Sequence, residues 1–548
     1  MNLNLKEIRV LVLSAGKINS ELEKIFGSIP SGLIPLNGKP VIFRIIDKLL
    51  NEGFEKISIT AGYKKEILEK IVREQYEERC NIEFISTDYE KPPGNSIKTA
   101  MDLCTEKKLL VILGDTLIEN NFSDLVKRDK NVVITSQNFI DSKNWCIVTK
   151  KDNKIDEIFD KEELSKDKKY HVLVGCYFFN QVQTLKKIID GYGLMEKLEI
   201  SGIINKLKEE ENVVTELAQK WHDVGHLENY FSTKQFVLKT RYFNSLQFDD
   251  LGENVVKTSK DNKKLINEIN WYKNIPNDIL DLVPKIKESD VSKNPFIKLE
   301  YVKHPTLSEL WLYSDFPLEF WGKIIEELLE IIKKFKNHKE DVSKEEYYSI
   351  YFQKTVDRID ELIKKNEIFD EIFDNEYVTI NGNKLKNWSL IKENVEKKID
   401  EIYNKEDNCL IHGDFYFSNI LYDSETSKYK LIDPRGVWGN GMSGDIKYDI
   451  AKIRHSVIGG FDTITNGLYT VSYEKTNGID VNVFQPQNYE IICKELDTQI
   501  EKYWKLDEIK MIEGLLFISM LPLHEDNFER QLVFFAIGIQ RLNEIFGD

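Results

Sequence analysis

The sequence predicts an α/β chain with two differently built halves. The first is expected to hold a mostly parallel sheet with helices on both faces, and the second to be a two-lobed α+β domain. In the first half, short apolar runs alternate with amphipathic stretches up to about residue 235. In the second half, a few strands precede a long, mainly helical stretch. The composition, 41% hydrophobic and 31% charged over 548 residues, is typical of folded globular protein with more than one domain.

The first half begins with a buried strand, IRVLVLSAG, and continues with a helix, VIFRIIDKLLNEG, that Gly53 closes. Strands and helices then alternate through the segments KISITAG, KKEILEKIVREQYEE, NIEFIS, SIKTAMDLC and LLVILGD. Ligands of such sheets bind beyond the carboxyl ends of the strands. We therefore expect the chemistry of this half in the loops after Leu13, Thr60 and Leu113.

The second half follows another plan from about residue 240 onward. Short strands near 255–258 and 296–301 flank the helix KKLINEINWYKNI, and two further strands, NCLIHGD and KYKLIDP, interrupt the helical stretch that follows. A small β-rich lobe thus precedes a large helical lobe. The predicted domains are 1–238 and 239–548, with lobes at about 239–303 and 304–548.

Composition and charge exclude several classes of function. The formal net charge of −16 argues against nucleic acid as a partner, because phosphate backbones need a basic surface. The apolar run near the N-terminus is too short for a signal sequence, and no stretch approaches the roughly 20 apolar residues of a membrane span. The six cysteines form no CxxC pair, which is typical of reduced thiols. We predict a cytoplasmic enzyme without membrane insertion, and its oligomeric state, a homo-oligomer included, stays open.

The sharpest motif of the second half is IHGDFYFSNILY, followed by the strand KLIDPRG. Phosphoryl transfer needs a carboxylate that orients the acceptor hydroxyl and oxygen ligands that hold Mg²⁺ on the ATP phosphates. Asp414 follows a strand, Asn419 lies further along the same loop, and Asp433 ends the next strand. A hairpin between these strands would bring the three side chains together. The alternative is an exposed loop with ordinary Asx turns.

This motif resembles the aminoglycoside phosphotransferase and choline kinase family, which has a protein-kinase-like fold. The resemblance covers roughly residues 245–548. It implies that Asp414 is the catalytic base, that Asn419 and Asp433 bind Mg²⁺, and that ATP is the phosphate donor. It also implies that His412 supports the loop rather than moving protons.

Upstream segments supply the remaining parts that such a kinase needs. Lys257 in the strand VVKTS and Glu268 in the next helix are expected to form the ion pair that holds the α- and β-phosphates. The backbone from Glu300 to Val302 would bind adenine. Of the glycine-rich phosphate loop only Gly252 is present. Further on, three residues of GDIKYDIAKIRHS are substrate-side candidates, or equally capping and structural groups: Asp445, Asp449 and His455.

Two aspartates of the first half suggest a second phosphate site. Asp115 stands at the end of the strand in ILGDTL, and Asp223 lies in the glycine-containing turn of WHDVGHLENYFS. Attack of a phosphate on a nucleoside triphosphate needs a divalent ion and basic groups around the leaving pyrophosphate. Two carboxylates at strand ends could bind one or two Mg²⁺ ions, although each alone could also be a turn-forming aspartate.

With SAGK and VGCYFF, these segments resemble the sugar-phosphate nucleotidyltransferase family, which includes nucleotide-sugar pyrophosphorylases and phosphocholine cytidylyltransferases. The resemblance covers about residues 8–235. It implies that Asp115 and Asp223 are metal ligands and that Lys161 contacts the phosphate of the acceptor. The residues implied for the triphosphate loop are Gly16 and Lys17, and those implied near base and ribose are Gly94, Asn95 and Ser96.

One departure from that family concerns its phosphate-binding loop. The frame Pro30 to Leu33 is kept, but Ser31 stands where the family has a lysine, and the loop arginine is missing. Losing one phosphate-binding cation could cost about 2–4 kcal/mol of transition-state stabilisation. Three nearby lysines are candidate substitutes: Lys17, Lys24 and Lys39.

The leading hypothesis is a bifunctional enzyme. The second domain would phosphorylate a small alcohol, amino alcohol or sugar with ATP, and the first would join that phosphate to a nucleotide from CTP or another NTP, for a capsule, surface glycan or lipopolysaccharide precursor. One alternative is a kinase regulated by an inactive nucleotide- or sugar-binding domain. Another is a scaffold in which both halves have lost activity. Acceptor and nucleotide identity stay open.

Overall fold

The computed structural model describes residues 5–137, 145–162, 164, 169–193, 197–238, 244–249, 251–475 and 478–547. The chain divides into two compact units, Met1–Val237 and Leu238–Asp548. The six cysteines are free thiols. None of the helices within the described residues is both long enough and apolar enough to span a bilayer.

The first unit is built on a nine-stranded sheet. From edge to edge its strands are Asn81–Ser86, Lys56–Ala61, Ile8–Leu13, Lys108–Leu113, His171–Phe179, Asn131–Ser136, Val213–Leu217, Lys154–Asp160 and Cys146–Lys151. The α-helices are Ser20–Phe26, Val41–Asn51, Lys65–Tyr76, Pro93–Met101, Phe122–Leu125, Val182–Asp190, Ile200–Glu210 and Leu227–Val237. Two short strand pairs lie outside the sheet, Pro35–Leu36 with Lys39–Pro40 and Thr116–Ile118 with Trp221–Asp223.

The strands that the sequence predicted first are indeed parallel, but the sheet as a whole is mixed. Ile8–Leu13 pairs in parallel with both of its neighbours. Among the later strands, Val213–Leu217 pairs in parallel with Asn131–Ser136, but His171–Phe179 runs antiparallel to its partners. The prediction of a mostly parallel sheet is therefore confirmed only in part. A parallel pair needs a long crossover connection, whereas Cys146–Lys151 and Lys154–Asp160 form a hairpin across a two-residue turn. Both turn residues, Asp152 and Asn153, have positive φ.

Helices cover both faces of this sheet, as predicted. Every residue of the strand Ile8–Leu13 is buried, which requires cover on either side. Leu11 and Leu13 belong to one apolar cluster with residues of the helices Pro93–Met101, Val182–Asp190 and Ile200–Glu210. Val10 and Val12 point to the other face and are equally buried.

The second unit begins with a four-stranded antiparallel sheet. Its strands, in spatial order, are Asn244–Phe248, Asn254–Ser259, Phe296–Glu300 and Ile286–Asp290, and the α-helix Asn262–Asn274 follows the second strand. The two inner strands and the helix were predicted from sequence. The two outer strands were not, because each has polar residues at most of its positions.

The rest of the second unit is mainly helical. Its α-helices are Leu307–Tyr313, Leu318–Lys336, Lys344–Tyr347, Lys354–Lys365, Glu367–Asp374, Trp388–Ile402, Ile446–Val457, Phe461–Thr465, Tyr489–Glu501, Leu506–Met520 and Phe528–Phe546. A sheet absent from the sequence prediction holds the strands Asn383–Lys386, Tyr377–Ile380, Gly478–Val483 and Tyr469–Glu474.

The predicted hairpin between NCLIHGD and KYKLIDP is not formed. Asn408–Leu410 pairs with Ser443–Asp445, and Lys428–Leu431 pairs with Ile420–Asp423. Each short strand thus finds a partner that was not recognised in the sequence, because two- to four-residue ladders have no periodic signature. The loop 411–419 connects the two ladders and carries the HGD motif.

Candidate active sites

Asp115 and Asp223 are brought together by a short antiparallel strand pair. Thr116, the residue after Asp115, lies directly opposite Asp223 in the pairing of Thr116–Ile118 with Trp221–Asp223. The backbone N–H of Val224 donates to the carbonyl of Asp115 at 3.0 Å. Two aspartates that are 108 positions apart in sequence therefore flank one point, as a shared metal site requires.

The carboxylates of Asp115 and Asp223 both lie close to Gly225. A Cβ placed on Gly225 would lie 3.2 Å from Oδ2 of Asp115 and 3.5 Å from Oδ1 of Asp223. Burial, together with the negative charge of Asp223, raises the pKa of Asp115 to about 6. Like charges this close favour a cation between them. Across the described ranges no three His, Cys, Asp or Glu side chains are grouped to hold a metal, so phosphates and water would complete its coordination.

Two side chains that sequence reasoning missed hold the turn at Asp223. His226 Nδ1 and Asn229 Nδ2 lie 2.8 and 2.9 Å from Oδ2 of Asp223. Asn19, which follows the loop with Gly16 and Lys17, donates from Nδ2 to the carbonyl of Gly225 at 2.6 Å. This hydrogen bond joins that loop to the turn at Asp223. The spacing of His226 and Asn229, three and six residues after Asp223, could have indicated their contacts, because a turn followed by the start of a helix places such residues on the same side of the chain.

Lys161 shares a cavity with the two aspartates. This cavity, of about 230 Å³, is also lined by Trp145 and Trp221. Lys161 has a φ of 57°, in the left-handed region, and its backbone N–H donates to the carbonyl of Trp145 at 3.1 Å. Lys161 is exposed and lines the same cavity as Asp115 and Asp223.

The loop with Gly16 and Lys17 is closed onto Ser31. The backbone N–H of Ser31 donates to the carbonyl of Gly16 at 3.0 Å. Apart from its chain neighbours, none of the residues that the structure describes lies within 4 Å of the position that a Cβ on Gly16 would take, so the loop borders open space there. The Lys17 side chain is 53% exposed and its Nζ lies 3.9 Å from Glu23. Lys39, another candidate substitute cation, is paired with Asp47.

Gly94, Asn95 and Ser96 lie in the first turn of the helix Pro93–Met101. A Cβ on Gly94 would stand 2.1 Å from the carbonyl oxygen of Leu198, so this glycine is required by backbone packing. Asn95 bonds back to Pro92. Ser96 is buried and contacts a threonine hydroxyl at 3.2 Å. The structure does not bring these residues into contact with Asp115 or Asp223.

In the second unit, the buried side chains of Lys257 and Glu268 form one cluster with Asp433, which is partly exposed. The Nζ of Lys257 donates to both carboxylate oxygens of Glu268 at 2.7 Å and to Oδ1 of Asp433 at 2.8 Å. Burial alone would lower the pKa of Lys257, but the charges of Asp433 and Glu268 outweigh it and raise this pKa. The predicted ion pair of strand and helix is therefore present, and it extends to the predicted metal ligand.

Asn419 and Asp433 stand side by side at the open end of a two-stranded ladder. Ile432 donates its N–H to the carbonyl of Asn419 at 2.9 Å, just beyond the pairing of Ile420 with Leu431. The amide nitrogen of Asn419 donates to the carbonyl of Asp414 at 3.0 Å, which joins all three predicted residues. One amide oxygen and one carboxylate, at neighbouring positions, are suitable ligands for Mg²⁺ beside a bound triphosphate.

His412 is a structural residue, as the sequence predicted. It is buried, and burial lowers its pKa to about 4, so the ring is neutral. The backbone N–H groups of His412 and Gly413 donate to the carboxylate of Asp449 at 2.7 and 2.8 Å. Asp445 caps the helix Ile446–Val457.

Asp445 and Asp449 are both fully buried, so neither can face a substrate. His455 is also fully buried and packs between the rings of Phe461 and Phe517. The substrate-side interpretation of Asp445, Asp449 and His455 is therefore wrong, because all three are enclosed by the protein.

The predicted adenine-binding segment follows the strand Phe296–Glu300. The N–H of Glu300 is committed to the carbonyl of Lys285 at 2.9 Å. Val302 makes no backbone hydrogen bond to any residue that the structure describes. The backbone N–H and C=O of Val302 are therefore better suited to hydrogen-bond with adenine than the N–H of Glu300. Gly252 has a φ of 65° and forms the turn between the first two strands.

Residues 11–240 match the model of the nucleotidyl transferase family. The first unit is thus a nucleotidyltransferase-type α/β domain, and the predicted resemblance of the first half is confirmed. The resemblance of the second half to small-molecule kinases stays a prediction.

Individual relatives are distant. The chain is 27% identical over 223 residues to the bifunctional protein GlmU of Methanococcus maripaludis, across 39% of this chain and 51% of that one. It is 27% identical over 179 residues to the UTP–glucose-1-phosphate uridylyltransferase AglF of Haloferax volcanii, across 31% and 72%. A solved UDP-glucose pyrophosphorylase complexed with UDP-glucose aligns with a TM-score of 0.35 and 16% identity, across 41% and 97%. The chain spans about half the length of the GlmU proteins.

Proposed function

We propose that the first unit transfers a nucleotidyl group from an NTP, CTP being one candidate, to a phosphorylated small molecule. The convergence of Asp115 and Asp223 above Gly225 carries this proposal. A bound Mg²⁺ would neutralise the triphosphate there. An oxygen of the acceptor phosphate attacks the α-phosphorus, and the bond from that phosphorus to pyrophosphate breaks. Lys161 holds the acceptor phosphate at the same cavity.

For the second unit we infer an ATP-dependent phosphorylation of a hydroxyl group. The supporting observation is the contact of Lys257 with both Glu268 and Asp433. The acceptor hydroxyl oxygen attacks the γ-phosphorus, ADP leaves, and Asp414 accepts the hydroxyl proton. Lys257 holds the α- and β-phosphates, and Asn419 with Asp433 would bind Mg²⁺ between them.

The two steps are complementary. Phosphorylation of an alcohol or sugar supplies the phosphate that nucleotidyl transfer requires, so one chain would make an activated precursor from a free alcohol. A capsule, surface glycan or lipopolysaccharide is the proposed destination, since such polymers are assembled from nucleotide-activated units. Release of pyrophosphate from each of four NTPs, with the phosphorylated product as acceptor, tests the pair of reactions in the full chain.

A second candidate function is favoured by the loop that contains Ser31. No lysine stands at this position, and Lys39 is paired with Asp47 rather than free to bind phosphate. The first unit would then bind a nucleotide or sugar without turnover and regulate the second unit. Persistent absence of pyrophosphate with every NTP, alongside measurable nucleotide binding, would favour this reading.

A further inference from the structure

Four basic side chains lie near one another and near the proposed catalytic carboxylate of the second unit, and we name them the cationic cluster. Its members are Lys354, Arg358, Arg435 and Lys452. The Nζ of Lys452 lies 3.2 Å from Oδ1 of Asp414. Sequence reasoning missed the cluster, because its members come from three separate segments of the chain.

Three members of the cluster meet at one aromatic ring. The Nζ atoms of Lys354 and Lys452 lie 5.6 and 5.8 Å from the ring centroid of Tyr448, and the guanidinium carbon of Arg435 lies 5.8 Å from it. Arg435 also donates to the Tyr448 hydroxyl at 2.8 Å. Tyr448 is buried, so the three positive charges lie around one enclosed ring.

The positive charge of the cluster is not balanced by the protein. Among the described residues, Asp414 is the one carboxylate within 4 Å of any member. The side chain of Lys354 makes neither an ion pair nor a hydrogen bond within that same part of the chain. Glu361, the other acid near Arg358, pairs with Lys365 at 2.8 Å.

This imbalance is costly in an otherwise acidic chain. Burial, and after it the charges of the other three members, lowers the pKa of Lys354 well below its ordinary value. The chain as a whole carries a formal charge of −16, so the cluster runs against the general charge. An anion bound at this point would remove the repulsion.

We propose that the cationic cluster binds an oxyanion on the acceptor, so that the second unit phosphorylates a hydroxyl compound that carries a carboxylate or a phosphate. This inference rests on the proposed kinase function. It excludes an amino alcohol, whose ammonium group would be repelled by four cations.

The cluster is assigned to the acceptor rather than to ATP for two reasons. The groups expected for the triphosphate are already present, Lys257 as cation and Asn419 with Asp433 as metal ligands. Across the described residues no member of the cluster hydrogen-bonds or ion-pairs with these three, whereas one member touches Asp414, which faces the acceptor hydroxyl.

Two matched series of acceptors test the inference in the full-length chain. The three-carbon series is glycerol, glycerate, glycerol 3-phosphate and 2-amino-1,3-propanediol. The six-carbon series is glucose, gluconate, glucose 6-phosphate and glucosamine. ADP formation and calorimetric binding are measured for each compound. We expect the carboxylate or the phosphate member of one series to exceed its neutral counterpart at least tenfold in kcat/KM or affinity, and the amine to fall below it. The carboxylate and phosphate members separate the two sources of the oxyanion.

Variants of the cluster test its role. Lys354→Met should raise the KM of the preferred anionic acceptor about tenfold and leave the KM for ATP unchanged. Lys354→Glu should shift preference toward the amine of the same series, an effect that a purely structural role would not produce. Lys364→Met, an exposed lysine on the same helix, is the matched control.

The outcomes separate this inference from the kinase proposal. If ATP is consumed with a neutral or cationic acceptor in preference to every anionic one, the inference is wrong and the kinase stands. If no compound is phosphorylated and ATP does not bind, both are wrong. A Lys354→Met variant that changes the KM for ATP instead of that for the acceptor would assign the cluster to ATP and overturn the inference.

Discussion

The imidazole Nδ1 of His226 donates to Oδ2 of Asp223 at a distance of 2.8 Å. This hydrogen bond, more than the burial that opposes it, raises the pKa of His226. With Asn229 on the same oxygen, Asp223 is held in one orientation, and its other oxygen accepts a hydrogen bond from the N–H of Gly225 at 3.3 Å. The carboxylate of Asp223 would thus be positioned before the proposed Mg²⁺ binds, which is how second-layer contacts strengthen metal sites.

The first prediction concerns pH at this pair. Burial and the charge of Asp223 raise the pKa of Asp115 to about 6, whereas an ordinary aspartate has a pKa near 4. Below pH 6 Asp115 therefore holds a proton that an ordinary aspartate would lose, and that proton competes with Mg²⁺. We expect the Mg²⁺ concentration for half-maximal pyrophosphate release to be flat from pH 8 to about 6.5. It should rise about tenfold per pH unit below 6. A requirement for Mg²⁺ that stays constant down to pH 5 would contradict the raised pKa.

Separate sites predict separable losses of activity. Asp115→Ala and Asp223→Ala should abolish pyrophosphate release and spare ATP-dependent phosphorylation. Asp414→Ala and Asp433→Ala should do the reverse, with phosphorylation reduced at least about 100-fold, because the base or the metal ligand is lost. Both activities are measured on the same preparation of each variant, so each serves as the folding control of the other. Loss of phosphorylation in Asp115→Ala would show that the assignment of two sites is wrong.

The buried cluster at Lys257 predicts graded effects on ATP use. In Lys257→Met the carboxylates of Glu268 and Asp433 lose their shared cation, and we expect kcat/KM for ATP to fall at least about 100-fold. Glu268→Gln keeps the shape and one acceptor oxygen, and Asp433 still contacts the lysine, so the expected loss is about tenfold. Steady-state kinetics with ATP as the varied substrate decide the order. Equal activity of Lys257→Met and the parent chain would show that Lys257 does not take part in ATP binding.

Two glycines of the first unit separate folding from function. Gly94→Ala would place a methyl group 2.1 Å from the carbonyl oxygen of Leu198, and the first unit should lose about 1–3 kcal/mol of stability. Gly16→Ala meets open space and should leave the stability unchanged. Thermal inactivation of pyrophosphate release measures the effect, and phosphorylation by the second unit is the internal control. Equal inactivation temperatures for both variants would contradict the packing at Leu198.

The motifs that carry chemistry could be read because they are local. The strand before Asp115, the turn at Asp223 and the HGD loop each combine an apolar run with polar residues at its end, and the structure keeps each where the pattern indicated. Lys257 and Glu268 lie only eleven positions apart, so a strand and the following helix suffice to pair them. Gly94 shows the limit: the family resemblance implies closeness to the nucleotide, which stays a prediction, whereas the packing against Leu198 could not be seen in the sequence.

By itself, the sequence determined the strands and helices that have a clear apolar pattern and the carboxylates at their ends, since burial periodicity and turn chemistry act over a few residues. Only the tertiary structure decided the antiparallel course of His171–Phe179 and the convergence of Lys354 with Arg435 and Lys452 around Tyr448. Such contacts join segments tens of residues apart. Their energies depend on the burial and mutual charge of the assembled side chains, and no local pattern of residues encodes these quantities.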